Sequence, residues 1–276
     1  MKLWKYTTWR PFDSDCPHDK QCDLLGKCYS RDNIINSQLY FNSPKAFNDP
    51  FDIAPFLDTT ATPKQVRERG LKVIKIHEGL VGKPALARFK ELTKIRGINT
   101  EKGKKQAVAE QLASLHKSGV CCFSSASSEN ILMWSHYAEK HTGICLEFAI
   151  PSNLKFLIPL KDTEGHPVLQ PKPVDYTDNL PQVNLFTNTA EELYKGLTTK
   201  SNEWKYEAEY RAMCLNYVGL LPYDPRLLNA VIAGCKMPDK EFEELAITVN
   251  KLKYQPHLYR AKKKEREYGF DMERVI

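Results

Sequence analysis

Between Pro63 and Ser118 the apolar residues recur at helical spacing: Val66, Val73 and Ile74, then Leu86, Phe89 and Leu92, then Val108, Leu112 and Leu115. Two or three amphipathic helices satisfy that period, with Gly82 and Pro84, and Gly97 and Gly103, supplying the breaks. The same stretch carries fourteen Lys and Arg against five Glu, a surplus of nine in a chain whose net charge is +6. It reads as a basic helical segment, residues 62–118, inserted between strand-rich parts of one α+β domain spanning residues 1–276.

On either side the pattern shortens to strands. Leu3 to Tyr6, Leu39 to Phe41, Gly119 to Phe123, Gly143 to Ile150 and Ala230 to Gly234 are strand candidates, and Asn130 to Lys140 has helical spacing. A helical turn is expected over Asp32 to Ile35, a helix from Pro238 to about Lys251, and a closing strand pair over Leu258 to Lys263 and Glu267 to Val275. Asn48-Asp49-Pro50 should turn the chain, because Asx side chains bond to nearby backbone and proline biases its predecessor away from helix. Lys155 to Asn188, rich in Pro, Asp and Asn, is expected to be irregular apart from a strand near Val174 to Tyr176. These elements imply an α+β fold with a mixed or antiparallel strand core.

Several function classes drop out. No apolar run approaches the ~20 residues that cross a bilayer, and Met1 to Arg10 has no apolar signal region, so a cytoplasmic protein without membrane contact is expected. Eight cysteines then read as reduced thiols. Cys16, His18, Cys22 and Cys28 cluster, but without a C-x-x-C pair they do not have zinc spacing. There is also no phosphate-binding glycine loop, nucleophile elbow or H-E-x-x-H.

Two clusters carry chemistry. Cys121-Cys122-Phe123-Ser124, Met133-Trp134-Ser135-His136-Tyr137 and His141-Thr142-Gly143 gather hydroxyls, an imidazole and aromatic faces suited to a flat polar ligand, or else Trp134 and Tyr137 anchor a core. In Trp204 to Arg211, a strand extending from Glu203 to Tyr217 would put Glu207, Glu209 and Arg211 on one face. A helix would leave only an i, i+4 pair of Glu207 with Arg211, and both arrangements are open.

Leu3-Trp4-Lys5-Tyr6, Phe47-Asn48-Asp49-Pro50-Phe51-Asp52, Met133-Trp134-Ser135-His136-Tyr137 with Gly143, and Trp204 with Glu207-Ala208-Glu209-Tyr210-Arg211 resemble the prokaryotic domain-of-unknown-function family 2971. Its sequence layout in turn is similar to that of ADP-ribosyltransferases. They share an early strand with a basic or aromatic residue (Lys5, Tyr6), a middle strand with a hydroxyl (Ser124) and a late strand bearing E-x-E (Glu207, Glu209). The resemblance implies a two-sheet core and an enzyme that consumes NAD as substrate. Glu209, Glu207 and Arg211 would be catalytic, while Lys5, Tyr6, Asn48, Asp49, Ser124, Trp134, His136 and Tyr137 would hold NAD.

The family's occurrence among defence-associated genes implies a toxin or anti-phage effector, with an antitoxin as a possible partner. The acceptor would be a nucleic acid or a protein, and RNA or DNA would bind along the basic block through Lys102, Lys104 and Lys105. Two other readings stay open. One is a non-catalytic module binding nucleic acid or a partner, and the other is a metal-dependent nuclease using Asn48, Asp49, His136, Glu207 and Glu209.

Overall fold

The computed structural model describes residues 1–9, 29–97, 100–151, 156–158 and 168–276, so the Cys16 to Cys28 cluster lies outside the described residues. The chain forms two compact units, one of residues 1–46, 118–174 and 203–276, the other of residues 47–117 and 175–202. The helical block is therefore joined in its unit by 175–202. In chain order the strands are β1 (Lys2–Thr7), β2 (Gln38–Phe41), β3 (Phe56–Asp58), β4 (Gly119–Ser124), β5 (Ile144–Ala149), β6 (Phe156–Ile158), β7 (Val168–Leu169) and β8 (Lys172–Pro173). They continue with β9 (Asp175–Thr177), β10 (Gln182–Asn184), β11 (Thr199–Ser201), β12 (Glu209–Cys214), β13 (Gly219–Pro222), β14 (Leu228–Ala233), β15 (His257–Lys263) and β16 (Phe270–Arg274). Seven α-helices are described: α1 (Tyr29–Ile34), α2 (Pro63–Glu78), α3 (Gly82–Arg96), α4 (Glu101–Leu115), α5 (Ile131–Tyr137), α6 (Ala190–Leu197) and α7 (Asp239–Asn250).

The first unit is built on a mixed sheet in the order β16-β15-β14-β5-β1-β4-β12-β7-β6, with β8 also pairing to β12. Neighbours on this path are antiparallel except β14 and β15, which run parallel. Strand alternation sends successive side chains to opposite faces, so each face acquires its own apolar layer. Leu3, Phe123, Leu146, Phe148 and Val231 pack on one face with Leu245 and Val249 of α7 and with Leu39 and Leu221 of the antiparallel β2–β13 pair. On the other face Tyr6, Cys145, Ile232, Ala261 and Phe270 meet Met133 and Trp134 of α5. Burying a side chain as large as Trp134, which is completely inaccessible, contributes about 2–3 kcal/mol.

The pairing of β1 is lopsided. It aligns with β5 along its whole length, from Lys2 opposite Ala149 to Thr7 opposite Ile144. Against β4 its register is the single pair Trp4 and Ser124. Past that point the Lys5 side chain reaches β4, its Nζ donating to the Cys122 carbonyl at 3.4 Å.

In the second unit the helices begin and end where local chemistry requires. Thr62 and Gln65 form a reciprocal capping box at the start of α2, and Thr100 caps α4. Gly79 and Gly97 close α2 and α3 in the left-handed conformation at φ 68° and 56°. The short parallel pairs β3–β10 and β9–β11 belong to this unit, as does a buried ion pair of Lys200 with Asp52 at 3.4 Å. Packing among the three long helices is sparse: α2 buries Val66 and Ile74, α3 buries Ala85, and Ile76 and Ile95 stay 67% and 69% exposed.

Two expectations change. The segment read either as one strand from Glu203 to Tyr217 or as a helix is a 3-10 helix over Asn202–Glu207 followed by β12, so Glu207 precedes the strand that Glu209 opens. The hinge is Ala208, whose φ of 43° no strand tolerates, because Cβ crowds the following carbonyl there. Lys155 to Asn188 is less irregular than its composition suggests, since β6 to β10 all fall within it.

Candidate functional site

Glu209 lies opposite Ser124, the last residue of β4, and Arg211 lies opposite Cys122. Because paired residues on adjacent strands share a face, Trp4, Ser124, Cys122, Glu209 and Arg211 all project toward the side covered by α5. Arg211, fully buried, grips Glu209 through both ends of its fork, with Nε to Oε1 at 2.8 Å and the second terminal nitrogen to Oε2 at 3.1 Å. Two parallel charge-assisted bonds of this kind fix the carboxylate's orientation and favour its ionised form.

Glu207 is held from the other side. The Tyr137 hydroxyl, at the end of α5, donates to its Oε1 at 2.5 Å. Burial, then the neighbouring Glu207 and Tyr206, push the Tyr137 phenol well above its ordinary pKa, so it stays protonated as the donor. The Cys122 thiol is likewise driven far up by burial and by Glu209, which removes it as a nucleophile at neutral pH.

The loop carrying both glutamates is pinned by backbone contacts. Ser124 Oγ donates to the Glu207 carbonyl at 2.5 Å and accepts from the Ala126 amide at 3.1 Å. The Ser125 amide and hydroxyl donate to the Ala208 carbonyl at 2.8 and 3.0 Å, which holds the left-handed Ala208 in place. Asn130 caps α5 by accepting from the Leu132 and Met133 amides and donates its amide to the Tyr206 carbonyl at 2.7 Å. Asn130 and Ser125 were not singled out from the sequence, although an Asn directly before an apolar helical run is a cap signal.

The residues expected at the site divide. Glu207, Glu209, Arg211, Ser124 and Tyr137 come together. His136 is exposed, its ring centroid 6.1 Å from that of Tyr206, which is in turn 6.1 Å from Trp204, so three tilted rings form a ladder beside Glu207. Trp134 has no exposed face: its ring meets the Tyr6 ring edge-on at 5.3 Å and its Nε1 donates to the Ser128 carbonyl at 2.7 Å. It is a core anchor instead of a surface for a flat ligand. Tyr6, also buried, donates its hydroxyl to the Ser127 carbonyl at 3.1 Å.

Lys5 leaves β1 on the face opposite Tyr6, its ammonium 5.9 Å from the Phe123 ring centroid, so the two do not act on one ligand side by side. Asn48 and Asp49 belong to the second unit, where the Asp49 carboxylate accepts from the Phe51 amide at 2.9 Å and makes the expected turn. Lys102 and Lys105 are exposed on α4, and Lys104 pairs with Glu101 at 3.0 Å. Among the described residues no group of three His, Cys, Asp or Glu side chains is arranged to hold a metal ion, and no helix is long and apolar enough to cross a membrane.

No curated protein and no solved structure matches the chain. Residues 133–212, the stretch running from α5 through the E-x-E loop into β12, match the model of a family described as a protein of unknown function, DUF2971.

Proposed function

We propose that the protein is an NAD-consuming ADP-ribosyltransferase with Glu209 at its reaction centre. One observation carries the reading: β1, β4 and β12 lie side by side, with Glu209 opening β12 opposite Ser124, at the single pair where β1 meets β4. Those are the three strands on which the resemblance locates its aromatic, hydroxyl and E-x-E residues.

The chemistry follows from the network. As the bond between nicotinamide and ribose C1′ breaks, its electron pair leaves with nicotinamide and positive charge develops on the sugar. Glu209, kept ionised by Arg211, stabilises that charge. The acceptor's lone pair then closes on C1′, and its proton passes to the Glu207 carboxylate, which Tyr137 orients. Tyr137, Tyr206 and His136 offer the ring faces for the flat nicotinamide.

The acceptor would be a nucleic acid or a protein, and the protein would act as a toxin or defence effector. Release of nicotinamide from NAD, measured with total RNA, DNA or lysate protein present, tests the assignment. Release lost in Glu209→Gln with the fold intact supports it, and no release under any condition overturns it.

Complete burial of Arg211, with Glu207 and Glu209 only 3% and 4% exposed, supports a second reading in which the three form a structural ion network of a binding module. In that case Glu209→Gln melts well below the parent protein and no nicotinamide is released.

A further inference from the structure

Between α2, α3 and α4 lies a pocket of about 280 Å³, half open to solvent. Its walls are largely apolar, chiefly Ile74, Phe89, Leu92 and Phe186. The Phe89 ring packs directly on bare backbone, for a Cβ at Gly70 would lie 2.4 Å from it.

Five polar side chains line the same space: Arg96 and Glu110 pair with each other at 3.3 Å, Thr93 donates its hydroxyl to the Phe89 carbonyl at 2.8 Å, and Arg69 and Gln111 are both half-buried. All five glutamates of the helical block are already engaged, by Lys64, Arg88, Arg96 and Lys104. Arg69 has no acidic partner among the described residues. A guanidinium half withdrawn from water at a largely apolar pocket, with an amide donor lining the same pocket, is complementary to a carboxylate attached to an aliphatic body.

We propose that this pocket binds a small aliphatic carboxylate of medium chain length, its chain against Phe89 and Leu92 and its head group on Arg69 and Gln111. The site is independent of the reading given to Glu209.

Calorimetric titration of the full chain with decanoate, and with decanol as the uncharged control, tests it. One-to-one saturable binding of decanoate, at least tenfold tighter than decanol, is expected. Arg69→Gln should reduce decanoate affinity at least tenfold and leave decanol unchanged. Ala107→Phe, which fills the pocket, should block both. Glu209→Gln should bind decanoate as the parent does. Absent or non-saturable binding, equal affinity for the two probes, or full decanoate affinity in Arg69→Gln would overturn the assignment, and the Arg69 comparison decides even if the Ala107 variant misfolds.

Discussion

The Tyr137 hydroxyl donates to Glu207 Oε1 at 2.5 Å and so ties the end of α5 to the loop that delivers Glu209 into β12. Removing that donor leaves a carboxylate 3% exposed with one bond fewer. Hydrogen bonds to charged groups contribute about 1.5–3 kcal/mol, so Tyr137→Phe should lower the unfolding free energy by about that amount. Guanidinium denaturation checks it. A midpoint equal to the parent's would show that the bond does not contribute to stability.

Arg211 is the cation on which this arrangement depends. Taking it away removes the bidentate cation from a buried carboxylate, and breaking a buried pair by removing one partner typically costs about 3–5 kcal/mol. Arg211→Met should therefore melt far below the parent. Pairing it with Glu209→Leu should restore much of the loss, since an apolar replacement of both partners removes both charges of the pair. If the double variant is no more stable than Arg211→Met, the two residues are not energetically coupled.

How much of this was legible in the sequence depends on the range of the forces involved. Elements governed by periodicity and caps were readable: α2 begins at Thr62 with its capping box, α5 follows Asn130, and β1, β4, β5 and β14 coincide with short apolar runs. The break at Ala208 was not readable, because the letters from Glu203 to Tyr217 alternate as a strand does. What overrides them is tertiary: Ser124 and Ser125, over 80 residues away, bond to the Glu207 and Ala208 carbonyls. The fate of Trp134 was equally hidden, since an aromatic residue on an amphipathic helix can face a ligand or a core. Only the packing of Tyr6 and Phe270 against it settles the choice.

Stability should fall at both ends of the pH range. Burial raises the phenols of Tyr6, Tyr137 and Tyr223 and pushes the Cys214 thiol up to about 11. Each folded pKa then exceeds its unfolded value, about 10 for Tyr and about 8.5 for Cys. Their stabilising contribution is complete below the unfolded values and is lost as pH rises above them, from about 8.5 for Cys214 and from about 10 for the tyrosines, where the unfolded chain ionises first.

His141 works in the opposite direction. Burial and then Lys236 lower its pKa, so its neutral form is favoured in the fold, with Nε2 sharing a hydrogen bond with Ser135 Oγ at 2.9 Å. Its contribution is present above about pH 6.5 and lost as pH falls below. Denaturation midpoints measured from pH 5 to 11 should form a plateau between these limits. A midpoint still rising above pH 10 would contradict the buried phenols.

The basic block makes a separate, quantitative prediction about polyanions. Its five glutamates pair with four of its fourteen cations, Arg88 holding two glutamates, and ten Lys and Arg have no acidic partner among the described residues. If RNA or DNA is the acceptor, those cations meet phosphates and release counterions, and log K falls linearly with log salt at about 0.9 per phosphate contact on duplex and about 0.7 on single strands. Lys102 and Lys105 are exposed, whereas Lys104 is already committed to Glu101. Replacing Lys102 and Lys105 with Gln should therefore reduce the slope by about 1.4–1.8, while Lys104→Gln should change it less. Fluorescence anisotropy with a labelled oligonucleotide across a salt series measures this directly. Equal slopes in all three proteins would make the block a solvated face and leave a protein as the acceptor.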